Sequence, residues 1–367
     1  MRVLKAGIAT SLCLANLSVA SCQVRGVVPP ALPQPAQETV DALEHHVRFL
    51  AEEIGPRCGA TSVTYNNLRR ARDYVFGVFS KLQEQTPASA LRLQTYTVHE
   101  RTYDNIEYEL GGAGRAGEVV VVGAHYDSDC LESSPFTPGA DDNASGVAVL
   151  LELAAALSKL DASGRASLHR TVRFVAFTNE EEPYFHTDDM GSLVYARSCK
   201  KDGLDVTAML SLEMLGYYSE NQPYPWYIGW LPGLPQEGNF LAVAGNPGSS
   251  CLVRTVVDSF SRNSLTPVHG VVAPGVYLMT WSDQWSFWKE GFPAVMITDT
   301  AKLRNANYHQ QTDAWCTLKY GLMAQSIGGL DAAVRDLAYD PPPPTPTGCG
   351  SARAPTATPS TAGGGDV

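Results

Sequence analysis

Four apolar runs along the chain end in polar residues of the kinds that bind metal ions. The run at residues 174–177 is followed by three consecutive glutamates, 180–182. The other three runs, at residues 119–122, 208–212 and 294–297, lead to His125, Glu213 and His309. Adjacent carboxylates repel one another unless a positive charge lies between them. Because ligands of open α/β sheets bind at the carboxyl ends of the strands, the pattern predicts a metal site at one sheet edge.

The remaining pattern predicts helices that cover this sheet. Apolar residues recur at helical spacing over residues 40–50 and 71–82, and residues 147–160 form a third, more apolar helix. Residues 91–99 and 105–110 alternate like an antiparallel hairpin. Strand, loop and helix then repeat, which predicts an α/β fold. We expect a single three-layer α/β/α domain with a mixed, mainly parallel sheet and the metal site at the carboxyl ends of its strands.

The sequence excludes two familiar motifs, one for dinucleotide binding and one for serine hydrolases. Residues 112–117, GAGRAG, match the GxGxxG fingerprint of dinucleotide-binding proteins. That motif needs a strand before it and a helix after it, whereas a strand follows here, so we predict a Gly-rich hairpin turn. The chain also lacks a GxSxG sequence, which leaves a serine hydrolase of the α/β type without its nucleophile.

Composition places the chain among globular proteins. Its 367 residues are 44% hydrophobic and 18% charged, enough to bury a sizeable core. The net charge of −11 argues against nucleic acid as a partner. The cysteines form no CxxC pair, so a structural zinc knuckle is not expected.

The amino terminus predicts export. Residues 1–21 combine Arg2 and Lys5 with a short apolar segment and end in small residues before Cys22, as in a lipoprotein signal peptide. Lipidation of Cys22 would anchor the protein to a membrane without spanning it. The prediction is a periplasmic or cell-envelope lipoprotein, or a secreted protein. An ordinary signal peptide cleaved nearby is the alternative.

Composition also divides the chain into segments. Residues 22–36 are proline-rich and predict a tether, and residues 37–340 hold the predicted domain. Residues 341–367 are rich in proline, threonine and glycine, which predicts a disordered tail.

The candidate ligands predict a metal site more strongly as a group than they do singly. Each residue has an ordinary explanation when it is taken singly. His125 would be a core histidine, Asp142 a helix cap and Glu213 a charge at a strand end. Together, imidazoles and carboxylates without thiolates suit Zn²⁺, with Mn²⁺ or Co²⁺ as alternatives. A bridging carboxylate further suits a two-metal site.

At these residues the chain resembles the M28 family of zinc aminopeptidases. The motifs that carry the resemblance are GAHYDS at 123–128, GADDNASG at 139–146, NEE at 179–181, LEM at 212–214 and YH at 308–309. They occur in the family's order, and the resemblance covers about residues 40 to 335. It implies a bacterial-type exopeptidase with two zinc ions acting together.

The resemblance also implies a role for each matching residue. Asp142, joined by the family's cis peptide to Asn143, would bridge the two ions. His125 and Glu213 would complete one ion's ligands, and Glu181 and His309 the other's.

Glu180 would be the general base that takes a proton from a metal-activated water. Asp127 would accept a hydrogen bond from the other ring nitrogen of His125. Tyr308 would donate to the developing oxyanion, although a simply packed tyrosine is an equal reading.

The chain departs from the family at two places. Glu213 stands where the aminopeptidases usually have Asp, and its side chain reaches one methylene further. Residues 182–190 form a longer link than usual, and it must lie near the metals. An acid in this link either holds the α-ammonium of a substrate or belongs to a solvated loop; the sequence leaves both readings open.

The leading hypothesis is an exported metallo-aminopeptidase that acts on peptides with a free N-terminus. A glutaminyl cyclase-like acyltransferase shares part of the ligand set. A carboxypeptidase would need a cation for the substrate carboxylate, and Arg304 or Lys302 could serve. An inactive, peptidase-like binding ectodomain is the alternative from another class.

Overall fold

Apolar runs and amphipathic segments alternate in the structure as strands and helices around one sheet. The computed structural model describes residues 32, 34–130, 136–160, 162–225, 234–273 and 277–339. The strands within them are β1 (Ser89–Val98), β2 (Arg101–Leu110), β3 (Arg115–His125), β4 (Arg170–Phe177), β5 (Asp205–Glu213), β6 (Leu241–Gly245), β7 (Val268–Val272) and β8 (Ala294–Thr298). The α-helices are α1 (Gln37–Arg48), α2 (Ser62–Gln85), α3 (Gly146–Ser158), α4 (Ala162–Ser167), α5 (Gly191–Lys201), α6 (Ser250–Asn263), α7 (Gln284–Glu290) and α8 (Tyr320–Ala338).

The strands form one mixed sheet in the order β1-β2-β4-β3-β5-β8-β6-β7. The four central strands, β4, β3, β5 and β8, are mutually parallel, so their carboxyl ends meet at the same edge. Strand β2 runs antiparallel to β4, and β6 runs antiparallel to β8. The predicted fold class, with its mainly parallel sheet, is therefore confirmed.

Alternating side chains of strand β3 fill two cores. In β3, Val120 and Val122 lie in the larger core, which also contains residues of α1, α2, α3, α6 and α8. Val119 and Val121 lie in the smaller core with residues of α5 and α7. Successive side chains of a strand point to opposite faces, so an all-apolar strand needs cover on both sides. Each such valine contributes about 1.5–3 kcal/mol on full burial.

The Gly-rich segment after β2 is not a hairpin turn, and this prediction was wrong. Strands β2 and β3 do not pair, because β4 lies between them. The segment instead crosses the start of β4, where the amide of Ala113 donates to Leu168 O and that of Arg115 donates to His169 O. A Cβ atom on Gly112 would collide with the backbone of His169 and Arg170, so the close crossing explains a glycine there.

The described helices and strands run from Gln37 to Ala338, inside the range predicted for the domain. The predicted signal peptide at 1–21, most of the tether at 22–36 and the tail at 341–367 lie outside the described residues. Those boundaries therefore stay predictions. In the part of the chain that is described, no helix has the length and apolarity needed to cross a membrane.

Candidate metal centre

The sheet edge where the parallel strands end collects the predicted ligands. Strand β3 ends at His125 and β5 ends at Glu213. The chain leaves β4 at Phe177 and reaches Glu180 and Glu181 three and four residues later. His309 follows β8 through a loop. Because β3 lies between β4 and β5, acids from both neighbours flank its imidazole.

Asp142 lies between the two imidazoles. Its Oδ1 is 3.3 Å from Nε2 of His125, and its Oδ2 is 3.2 Å from Nε2 of His309. Glu213 approaches the same nitrogen of His125 at 3.4 Å, and Glu181 approaches that of His309 at 3.4 Å. The structure thus brings together two sets of donor atoms that share one carboxylate.

The consecutive glutamates reach different imidazoles. Oε2 of Glu181 lies against His309, whereas Oε2 of Glu180 is 3.8 Å from Nε2 of His125. Both side chains are buried, and both line the cavity at the sheet edge. A proton-accepting group and a cation ligand can therefore stand side by side on one short turn.

The donor set fits a cation better than it fits a closed hydrogen-bond network. Both ring nitrogens of His125 and Oε1 of Glu181 are buried without a hydrogen-bond partner among the described residues. Buried polar atoms are normally satisfied, so several orphans in one cluster call for an explanation. Nitrogen and oxygen donors at this spacing match the ligand preference of zinc.

The pKa values in the cluster also indicate a site for a cation. Burial lowers the pKa of His125, but Glu180 and Glu213 outweigh it and hold that pKa well above its usual range. Burial and the charge of Asp142 raise the pKa of Glu181 well above normal. Without a cation, these groups retain protons that a divalent ion would displace.

Asp127 holds the two glutamates as well as facing His125. Its Oδ1 lies 3.6 Å from Nδ1 of His125, beyond ordinary hydrogen-bond length. The same carboxylate accepts the backbone amides of Glu180 at 3.2 Å and Glu181 at 3.1 Å. Asp127 therefore fixes the turn after β4, a contact that the sequence did not predict.

Asp129 is a residue that the sequence analysis missed. Its Oδ2 lies 3.6 Å from Nδ1 of His309, so it faces the second imidazole as Asp127 faces the first. It follows Asp127 at the same two-residue spacing by which Asp127 follows His125. That alternation was the available signal, although its partner, His309, is remote in sequence.

The loop before α3 is held from several directions. The peptide bond between Asp142 and Asn143 is cis. Buried Asp313 accepts the backbone amides of Asp141 at 2.9 Å and Asp142 at 3.1 Å. Asn143 accepts the amides of Gly146 and Met214, each at 3.1 Å. These bonds fix the backbone that presents the Asp142 carboxylate.

A fully buried arginine stabilises the other side of the same loop. Arg57 donates to the backbone oxygens of Tyr126 at 2.7 Å, Pro138 at 2.5 Å and Gly139 at 2.8 Å. Burial lowers its pKa to about 10, so the guanidinium is still charged at neutral pH. Its neighbour Cys58 forms a disulfide with Cys130. Arg57 thus ties together the segments that follow His125 and precede Asp142.

The cluster opens into a cavity of about 290 Å³. The lining combines five acids with aromatic rings, one lysine and His309: Asp142, Glu180, Glu181, Glu182, Phe185, Glu213, Tyr277, Trp281, Lys302, Tyr308 and His309. The ring of Tyr308 stacks on His309, with centroids 3.8 Å apart. Its hydroxyl has no hydrogen-bond partner in the described part of the chain. Tyr308 therefore fits both interpretations, a donor to the oxyanion and a packed side chain.

The link at residues 182–190 lies beside the cavity, as expected. Glu182 and Phe185 line it, whereas Asp188 forms an ion pair with Arg197 at 2.8 Å. The ring of His186 stacks on Trp285 at 4.0 Å and anchors the link to the helix α7 region.

Arg304 is not available for a substrate carboxylate, so that part of the prediction was wrong. Its side chain is buried and donates to Phe240 O at 3.0 Å and to Gln222 Oε1 at 2.7 Å. Lys302 does line the cavity.

A mainly parallel α/β sheet with two imidazoles and a shared carboxylate at its strand ends fits a metal-dependent enzyme. The sequence comparisons specify the family. Residues 105–329 match the model of peptidase family M28. The chain belongs to this family.

Two curated relatives extend over most of the chain. The Uncharacterized protein YfbL of Escherichia coli K12 is 36% identical over 82% of this chain and 89% of its own length. Leucine aminopeptidase 1 of Ajellomyces capsulatus is 30% identical over 80% of this chain and 68% of its own length. The predicted enzyme class, a metallo-aminopeptidase and thus a hydrolase, is confirmed.

Solved structures share the fold. LapB from Legionella pneumophila superposes with a TM-score of 0.62 at 20% identity, over 84% of this chain and 77% of LapB. A Zn-dependent exopeptidase from Parabacteroides distasonis superposes with a TM-score of 0.54 at 17% identity, over 84% of this chain and all of that protein (100%). At these identities the likeness concerns the fold.

Proposed function

We propose that this protein removes N-terminal residues from peptides with two zinc ions held around Asp142. The single observation that carries the proposal is the position of that carboxylate, whose two oxygens each face a different imidazole at 3.2–3.3 Å. One ion would take His125, Asp142 and Glu213 as ligands. The other would take Asp142, Glu181 and His309. The Zn-dependent exopeptidase of the same fold supports zinc as the metal.

Bound zinc supplies Lewis-acid chemistry, because it polarises a carbonyl and lowers the pKa of water. Glu180 takes a proton from the attacking water and returns it to the amine that leaves. In the metal-free protein, burial and the nearby carboxylates of Glu181 and Glu213 raise the pKa of Glu180 well above normal, so this carboxyl group holds a proton readily. The hydrogen bond that the backbone amide of Glu180 donates to Asp127 holds Glu180 in the cavity wall.

Tyr308 is proposed to donate its hydroxyl to the developing oxyanion. The stacking on His309 fixes the ring in the cavity wall, and the hydroxyl is not engaged by another described residue. Preorganised donors of this kind stabilise charge that appears in the transition state.

Export is the proposed localisation, with a lipid anchor at Cys22. The disulfide between Cys58 and Cys130 supports it, since disulfides persist in oxidising compartments. Metabolic labelling with a radioactive fatty acid tests the anchor: a Cys22→Ala variant that still incorporates the label would exclude Cys22 as its attachment point.

The function is tested on the full, zinc-loaded chain. We expect two zinc ions per chain by elemental analysis, cleavage of aminoacyl anilides, and no cleavage of N-acetylated peptides. Glu180→Gln should retain both ions and lose about 10²–10⁴-fold in kcat. A single ion, or turnover of N-acetylated peptides alone, would overturn the proposal.

A further inference from the structure

The cavity beside the metal centre is strongly acidic, with one cation placed in its wall. Five carboxylates line it, and Lys302 is the one lysine or arginine among the described lining residues. Bound zinc would offset the charges of its proposed ligands Asp142, Glu181 and Glu213, but Glu182 also lines the cavity, so a substrate carboxylate away from the metal centre still needs a cation beside it. The location of Lys302 therefore bears directly on which peptides can bind.

The ammonium group of Lys302 is held in position but not neutralised. Its Nζ lies 3.4 Å from the centroid of the Trp281 ring, which is a cation–π contact. In the described part of the chain no ion pair or hydrogen bond engages this side chain. An indole face restricts the ammonium without removing its charge, so the group can still bind an anion.

Two other cationic side chains, Arg304 and Lys289, already contact other polar groups of the protein. Arg304 is buried and bonded to Phe240 O and Gln222. Lys289, which also lies over an indole ring (4.8 Å from that of Trp285), is 3.8 Å from the carboxylate of Asp188 and does not line the cavity. Both lysines thus lie over an indole ring. Among the described residues, Lys289 has a carboxylate within ion-pair distance, and Lys302 has none.

The size of the cavity limits the length of a substrate that can contact both the metal centre and Lys302. At about 290 Å³ it lies at the small end of the range for ligand pockets. One or two amino-acid residues fill such a space, so the terminal carboxylate of a dipeptide can lie near Lys302. The same carboxylate of a long peptide lies outside.

On this basis, and resting on the proposed function, we propose that Lys302 is a specificity-determining residue that binds the C-terminal carboxylate of short peptide substrates. The enzyme then acts preferentially on dipeptides and tripeptides with a free carboxylate. Lowering of the Lys302 pKa by burial agrees with an ammonium that gains from an anionic partner.

The test compares Leu-Gly with Leu-Gly-amide on the zinc-loaded full chain. We expect about fivefold higher kcat/KM for the free acid, mainly through KM, as for one partly exposed ion pair. Lys302→Met should abolish the preference by slowing the free acid alone, and Lys302→Arg should keep it. Lys289→Met is the matched control and should leave it unchanged. Equal rates for acid and amide in the wild type, or equal losses on both in Lys302→Met, would overturn the proposal.

A binding measurement separates this proposal from the proposed function. In the Glu180→Gln background, calorimetry should give about fivefold tighter binding of Leu-Gly than of its amide, and Lys302→Met should remove the difference. Equal affinities there refute the role of Lys302 even if the aminopeptidase assay succeeds. Cleavage of N-acetyl-Leu-Gly with the Lys302 preference intact would refute the aminopeptidase function and uphold carboxylate binding.

Discussion

Replacement of Arg57 by methionine is expected to destabilise the protein strongly. Arg57 is fully buried, and its guanidinium satisfies three backbone oxygens on the segments beside His125 and Asp142. Methionine has similar length and no donors, so these buried oxygens would lose their partners. Asp127, Asp313 and Asp142 would also lose a nearby positive charge.

The size of the effect follows from these contacts. An unsatisfied buried oxygen costs about 1–3 kcal/mol, and removal of one partner from a buried charged network costs about 3–5 kcal/mol. The two estimates overlap because they describe the same bonds. We therefore expect a loss of about 3–5 kcal/mol in the free energy of unfolding. Zinc should also be held less tightly, because the two segments present ligands.

Urea unfolding of zinc-loaded Arg57→Met measures the first effect, and zinc content after dialysis measures the second. Arg262→Met is the control, since that guanidinium is 63% exposed and only meets Asp336 at 3.3 Å. Its loss should stay below about 1 kcal/mol. If Arg57→Met lies within about 1 kcal/mol of wild type and keeps its zinc, the assignment of Arg57 as the tie between these segments is wrong.

Two further predictions concern the disulfide and the metal-free enzyme. Replacing Cys58 and Cys130 together by alanine should cost about 2–4 kcal/mol in urea unfolding, because the bond closes a loop across 72 positions of sequence separation; an unchanged midpoint would show that it adds nothing. In the chelated enzyme, Glu181 and Asp142 outweigh burial and raise the pKa of His309 to about 10 from 6.5. A raised pKa stabilises the fold fully below 6.5 and loses that contribution as pH rises toward 10, so metal-free protein should lose about 2 kcal/mol between pH 7 and 9. Zinc-loaded protein should lack the part of this slope that comes from His309, and equal stability of the metal-free form at both pH values would contradict the prediction.

Much of the fold was determined by local patterns in the sequence. Runs such as residues 119–122 are apolar on both strand faces, which requires helices on both sides of the sheet. The ligand types were equally visible, because His125, Glu213 and the glutamates after β4 directly follow such runs. Periodicity and strand ends are short-range properties, and neighbouring residues alone specify them.

The tertiary structure decided which of these groups meet. Strand β3 pairs with β4 on one side and β5 on the other, and that order brings Glu213 and Glu180 to His125. The tertiary structure also turned the Gly-rich segment into a crossing over β4, set Asp129 against His309, and buried Arg304 away from the cavity. Contacts between residues distant in sequence depend on strand order and loop path, which no local window of residues encodes.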